Sequence, residues 1–314
     1  KLEYLYRFLC NKGLNGTFLK QLLKHQDSEE FIMAKDDQGQ SEFMKACKIG
    51  LFGVVELHLK HPTNQEIIFY KDNRGETGFF KASESGQSDI VELLLKHIIE
   101  IKDYNEETGF MKACSSGEKT VVERILDHPN SQEIIKPKDY KGENGFMKAC
   151  LFDQRPVVKL LLDHPNSQEI ILCKDNRGET GFHKVCESGQ RDVVELHLKH
   201  PNSQEIIGTK NDKGETGFLK ACESGQQDVI ESLLKHPISK NIITAKDNKG
   251  ETGFLKACDK QQIEAVKLLW RVFDNPDLYF GFQRSCLNFA IASRNRNQRK
   301  MYDNKWFIEL LLTP

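Results

Sequence analysis

The chain carries almost no net charge, no long apolar run and no recognisable catalytic signature. Its 45 basic and 46 acidic side chains leave a net charge of -1, so no global field draws it toward nucleic acid or acidic lipid. The longest apolar stretches are helix-sized pieces such as Val91-Glu92-Leu93-Leu94-Leu95, far short of a membrane span. There is no Gly-rich phosphate loop, no Gly-x-Ser-x-Gly elbow and no zinc-protease helix. Asp-Lys and Glu-Lys combinations abound, but they recur periodically, whereas a catalytic constellation should be unique. The expectation is a non-enzyme without a cofactor. Hydrophobic residues at 38% and charged residues at 29% fit a thin core under a large solvated surface.

What is present is repetition. The phrase Lys-Asp-x-x-Gly-Glu-Thr-Gly-Phe-x-Lys-Ala-Cys recurs with its phenylalanine at 43, 79, 110, 146, 182, 218 and 254, in steps of 36, 31, 36, 36, 36 and 36 residues. Units of this size cannot bury their own apolar face and must stack into a solenoid. Six of the nine cysteines (Cys47, Cys114, Cys150, Cys186, Cys222, Cys258) fill one repeat position, with Ser83 in the remaining unit. Thiols on stacked helices lie roughly 8–10 Å apart, too far for a disulfide. They read as small core hydrophobes, and free thiols in this number imply a reducing compartment, cytoplasmic or nuclear.

The unit from Lys174 to Thr209 shows the local logic. Lys174 to Glu179 is a turn, with Asp175 and Asn176 bonding local backbone and Gly178 supplying the unusual dihedral. Thr180 caps a helix from Gly181 to about Ser188, as Thr77, Thr108, Thr216, Thr252, Asn144 and Ser41 do in their own units. Gly189 ends that helix. A second helix runs from about Arg191 to Lys199, striped with Val193, Val194, Leu196 and Leu198. His200-Pro201 stops it. A return loop follows, in which Asn202 or Ser203 caps a single turn carrying Ile206 and Ile207.

These residues resemble the ankyrin repeat. Gly75-Glu76-Thr77-Gly78-Phe79-Phe80-Lys81-Ala82-Ser83, then Gly86, then Ile90 to Leu95, parallels the family's turn-Gly-x-Thr-Pro-Leu-His-x-Ala-Ala, Gly and Val-Val-x-Leu-Leu-Leu. The resemblance covers nearly the whole chain and implies an all-α helix-turn-helix solenoid of about nine units with long return loops. Two departures stand out. Glycine replaces proline at the first helical position, losing preorganisation. The family's histidine survives only as His183, with Phe80, Met111, Met147, Leu219 and Leu255 elsewhere. The expected organisation is a capping repeat over 1–35, regular units over 36–281 starting near 36, 72, 103, 139, 175, 211 and 247, and an atypical repeat over 282–314. The chain begins at Lys1 without a methionine and stops just after an apolar helix. Both ends are therefore read as truncated, with something upstream covering the first unit.

Histidine closes most second helices, at 61, 97, 128, 164, 200 and 236. No Cys or carboxylate completes a ligand set beside His58/His61 or His197/His200, so a role at the helix dipole and free carbonyls is expected rather than a metal. Family partners meet turn tips and inner helices, which maps to residues such as Arg74, Glu76, Glu84 and Ser85. Every inner helix also carries a lysine. Those at 81, 184, 220 and 256 have an acid three residues on (Glu84, Glu187, Glu223, Asp259) and are expected to pair with it. Lys45, Lys112 and Lys148 do not. They are followed by Lys48 with Ile49, by Ser115, and by Leu151 with Phe152, while Tyr104 and Tyr140 take two turn tips.

Unpaired lysines beside exposed aromatics would suit a protein partner with an acidic segment and hydrophobic anchors. The competing reading has Leu151 and Phe152 repacking a core altered by Asp153, which replaces the helix-ending glycine. The shortened link 98–101 is expected to change the local curvature. The segment 294–305 holds five basic residues against Asp303, either a phosphate contact to nucleic acid or lipid or a solvated insertion. The leading expectation is a protein-interaction scaffold or adaptor. The alternatives are the cytosolic arm of a larger protein such as a membrane channel, or a nucleic-acid or lipid binder through 294–305.

Overall fold

A computed structural model describes residues 1–97, 101–165, 167–237 and 239–273, in two compact units, Lys1–Gly181 and Phe182–Pro314. Every described element is an α-helix, and none is long and apolar enough to cross a membrane. The described residues hold no β-strand; isolated bridges such as Lys102 to Thr108 pinch the turns.

Each regular repeat opens on a turn knitted by one side-chain oxygen, a carboxylate's except at Asn211, whose amide oxygen does the same. Asp72 Oδ1 accepts the backbone N–H groups of Arg74 (2.9 Å) and Glu76 (3.0 Å), and Asp103, Asp139, Asp175 and Asp247 do the same in their own turns. The inner helix follows: Glu42–Ile49, Gly78–Glu84, Gly109–Ser116 and Gly145–Leu151 in the first unit. Ser41, Thr108 and Asn144 cap three of these through the amide three residues on. Thr77 occupies the same slot with its hydroxyl unbonded.

The outer helices, such as Ser88–Leu95 and Lys119–Leu126, contribute Ile90, Val91, Val121 and Val122 to the core. The return segment is more ordered than a loop. A third short helix closes it at Ser28–Ile32, Asn64–Phe69, Ser131–Ile135 and Ser167–Ile171, packing pairs such as Ile67 and Ile68 inward. No third helix is described between Leu95 and Gly109, where the step shrinks to 31 residues; the link over 98–100 lies outside the described residues.

The second unit repeats the scheme. Gly181–Ser188, Gly217–Ser224 and Gly253–Asp259 are inner helices, and Arg191–Lys199, Gln227–Lys235 and Ile263–Phe273 outer ones. The bounds Gly181–Ser188 and Arg191–Lys199 coincide with those read from the sequence. The atypical repeat over 282–314, with its basic segment, lies outside the described residues.

The glycine at the first helical position has a packing cause. A Cβ on Gly78 would sit 2.7 Å from Cε1 of Phe43 in the preceding repeat, and one on Gly217 the same distance from Phe182. Glycine here is a socket for the neighbour's anchor ring, so the preorganisation lost with proline is exchanged for close stacking.

Candidate functional site

The inner-helix lysines, expected to reach forward, reach back. Lys81 pairs with Asp72 (2.8 Å) and Glu76, not Glu84. Side chains on a helix lean toward its N-terminus, which carries the ammonium into the turn that precedes the helix. There Asp72 offers Oδ2, its other oxygen being engaged by the turn.

The three lysines taken to be unpaired are all paired, which corrects the sequence reading. Lys45 holds Asp36 (3.0 Å) and Glu42 (3.2 Å). Lys112 meets Glu107 (2.7 Å), Glu76 (3.3 Å) and Asp103 (3.5 Å). Lys148 is buried among Asp139 (2.7 Å), Glu107 (2.8 Å) and Glu143 (3.2 Å). Glu76 thus joins Lys81 to Lys112, and Glu107 joins Lys112 to Lys148. The result is a ladder of alternating charge running from repeat to repeat.

Lys256 in the second unit repeats the pattern with Glu215 (2.6 Å) and Asp247 (3.2 Å), while Lys220 pairs with Glu187 of the repeat before it (2.9 Å). Burial by itself would push the Lys112, Lys148 and Lys256 ammoniums down; the surrounding carboxylates outweigh it and hold them above the ordinary range. Burial likewise favours a neutral Glu107, yet hydrogen bonds from Lys112 and Lys148 hold it below the usual range. Glu76, mapped from the family as a contact residue, is buried in this ladder, whereas Arg74 and Glu84 are exposed.

The remaining site residues lie on the surface. Tyr104 is 70% exposed, Tyr140 57% and Phe152 58%; Lys48 and Leu151 are exposed as well. A repacked core around Leu151 and Phe152 is therefore incorrect. Asp153 itself adopts the left-handed conformation (φ 54°) in place of glycine, so the helix ends as it does elsewhere and the two apolar side chains turn outward.

Tyr104 and Tyr140 flank the start of their inner helices, whereas Leu151 and Phe152 lie at an inner helix's end, with the lysine ladder between. The Tyr104 ring lies against Gly75 of the preceding turn, where the asparagine of other tips reaches back to a backbone carbonyl, as Asn73 does to Asp37 (3.1 Å). The Lys141 ammonium stands 5.5 Å from the Tyr140 ring centroid. Sequence reasoning missed Phe52 and Leu14, which are exposed apolar side chains near Ile49 in sequence or in the preceding repeat. Their position beside the helix-ending glycines Gly13 and Gly50 was the available signal.

The histidine column has a local explanation different from the one expected. His164, His200 and His236, each before proline, have extended backbone. The ring accordingly turns forward: His200 Nδ1 accepts the Asn202 N–H (3.1 Å), and His128 Nδ1 accepts that of Asn130 (3.2 Å). Among the described residues no group of three or more His, Cys, Asp or Glu is placed to hold a metal. The thiols at 47, 114, 150, 186, 222 and 258 are buried and form no disulfide, and burial pushes Cys47, Cys150 and Cys222 well above the ordinary thiol range. His183, the family's histidine, makes a hydrogen bond from its Nε2 to the Glu215 carbonyl (3.0 Å).

Turn, inner helix, outer helix and return, stacked through a Gly-Phe socket, define an ankyrin-repeat fold. The solved ankyrin repeat domain of Bcl-3, described as a unique member of the IkappaB protein family, is similar over 74% of this chain and 100% of its own length, with a TM-score of 0.60 and 18% identity. No protein-family model and no curated protein matches the sequence. An ankyrin unit is typically about 33 residues long; the 36-residue step here accommodates the third helix.

Proposed function

We propose that the chain is a non-catalytic protein-interaction scaffold, with one recognition face on the first unit formed by Tyr104, Tyr140, Lys48, Leu151 and Phe152. One observation carries this reading. Large apolar side chains are exposed at repeat positions where neighbouring units place asparagine, glutamate or serine. Aromatics of this kind dominate interface energetics. Lys45, Lys112 and Lys148 are already neutralised by carboxylates of their own and the preceding repeats. The partner expected here is a protein segment with apolar anchors, and the earlier argument for its acidity falls away at this face. Buried thiols outside any disulfide fit a cytoplasmic or nuclear setting.

The test is affinity capture with mass spectrometry, comparing the parent chain with a Tyr140→Ala/Phe152→Ala variant whose helicity and melting are unchanged. A protein captured by the parent and lost with the variant supports the face. Identical capture by both would remove it.

A further inference from the structure

The 31-residue step leaves a notch in the row of return helices. Four residues (98–101) join His97 to Lys102, against nine (129–137) joining His128 to Lys138 in the repeat that follows. A link shorter by five residues has no room for a return helix. The outer helices nonetheless stack without a break, since Ser88–Leu95 packs against both Phe52–Leu59 and Lys119–Leu126. The return helices Asn64–Phe69 and Ser131–Ile135 pack on Phe52–Leu59 and Lys119–Leu126 in turn. They therefore stand two helix spacings apart, about 16–20 Å, which leaves the width of one helix between them.

The repeat register says what borders the notch. Where two successive return helices are present, Lys136 of one reaches Glu169 of the next (3.2 Å). Phe69 holds the place of Lys136, and Glu133 holds the place of Glu169. One side of the notch thus carries Phe69, which is 50% exposed. The other carries Glu133, which is exposed and has no ion pair among the described residues. The core at this repeat is closed, because Leu94 and Leu95 are buried, so the notch belongs to the surface.

The two walls select the occupant. An exposed ring on one side and an unpaired carboxylate on the other call for a helix with an apolar side chain facing Phe69 and a cation facing Glu133. The register sets their spacing. The apolar residue takes the place that Glu133 and Glu169 hold in their own helices, and the cation takes the place of Lys136, three residues further on. A return helix from a second copy fits poorly, because Glu66, Glu133, Glu169 and Glu205 would each set a carboxylate against the ring. We infer that the notch docks a short helix of a partner protein in which an apolar residue is followed, three positions on, by lysine or arginine.

The test titrates the full chain against a fluorescent peptide of about 16 residues, long enough to be helical, containing Ser-Gln-Leu-Ile-Ile-Lys. Saturable binding is expected, weakened about tenfold by Phe69→Ala. Glu133→Lys should weaken it similarly, and a peptide with glutamate in place of its lysine should regain affinity for that variant. Replacing 98–101 with a copy of 129–137 supplies the return helix within the chain and should abolish binding. Phe69 and Glu133 are exposed, so circular dichroism should report unchanged folding in both substitutions. The Tyr140→Ala/Phe152→Ala variant should bind as the parent does, which separates this notch from the face proposed above.

The inference is overturned by no binding, by unchanged affinity in Phe69→Ala, or by failure of the charge exchange at Glu133. Equal binding by a folded chain with the lengthened link would overturn it too. So would a dimer in sedimentation that Phe69→Ala abolishes, which would assign the notch to a second copy.

Discussion

Lys148 lies within an inner helix and Lys12 just past the end of the first helix; one ammonium is enclosed by three carboxylates and the other is exposed. The phenylalanines divide in the same way: Phe146 is fully buried beside the next repeat's glycine socket, while Phe18 stands in solvent. The difference comes from place within the repeat: Phe146 matches Phe43 and the fully buried Tyr6, whereas Lys12 and Phe18 stand at other repeat positions. An interior repeat receives a carboxylate and a glycine from its neighbours, and these convert a charge and a ring into core. Lys12 and Phe18 have no such partner among the described residues and are exposed.

The sharpest way to break this contrast is to truncate the two phenylalanines in parallel. Phe146→Ala should cost about 3–5 kcal/mol, the range for emptying a large core site, whereas Phe18→Ala should stay within about 0.5 kcal/mol, as exposed substitutions do. Chemical denaturation reads both, and comparable losses would dissolve the distinction between buried anchor and free surface.

The lysines come next. Lys148→Met leaves Asp139, Glu143 and Glu107 facing one another with one cation fewer, and should cost about 3 kcal/mol, the lower end for breaking a buried pair. Lys12→Met should leave the unfolding midpoint in place. Lys112 and Lys148 share Glu107, so their double mutant should depart from additivity by about 0.5–3 kcal/mol; strict additivity would mean the ladder is a row of independent pairs.

Acidity sharpens the comparison further. Burial pushes His58 and His197 down to about 4, so their neutral forms are favoured by folding. Their contribution is present above the unfolded value near 6.5 and is lost as pH falls through the folded value. Glu107 is also held low, and its contribution, present above the unfolded carboxylate value, is lost as pH falls through its own depressed one. Denaturation midpoints should therefore drop between about pH 6.5 and 4 through the histidines, then further through the carboxylates. A flat profile in the first interval would contradict the buried, neutral state of His58, whose Nε2 lies 2.6 Å from the Tyr6 hydroxyl.

The smallest effect concerns the turns. Glu106 stands where other repeats have glycine and adopts φ 60°, so Glu106→Gly should stabilise by about 1 kcal/mol by relieving the left-handed penalty.

Much of the repeat was readable because its signals are local. Ser41, Thr108 and Asn144 announce helix starts through their own hydroxyl or amide, and the helices at Gly181–Ser188 and Arg191–Lys199 stop where Gly189 and His200-Pro201 require. The lysine partners were not readable from spacing. An i,i+3 rule describes an isolated helix, and it fails when Asp72 and Glu76 arrive from the adjoining turn and the helix geometry points Lys81 at them. Phe152 posed the opposite difficulty. Its surroundings were legible, but whether it faced inward depended on Asp153 adopting a backbone conformation usually left to glycine.

The shared carboxylates have a consequence for how such a chain changes over generations. Glu76, Glu107 and Glu143 are interchangeable partners in one register. Excising residues 103–138 would therefore bring Lys148 to the place of Lys112, opposite Glu76, with every charge matched. Loss or duplication of a whole repeat is a nearly silent edit, while a cut at any other length strands an ammonium in the interior. The ladder thus acts as a reading frame for structure, letting the array lengthen or shorten in whole units while holding the chemistry of its end repeats fixed.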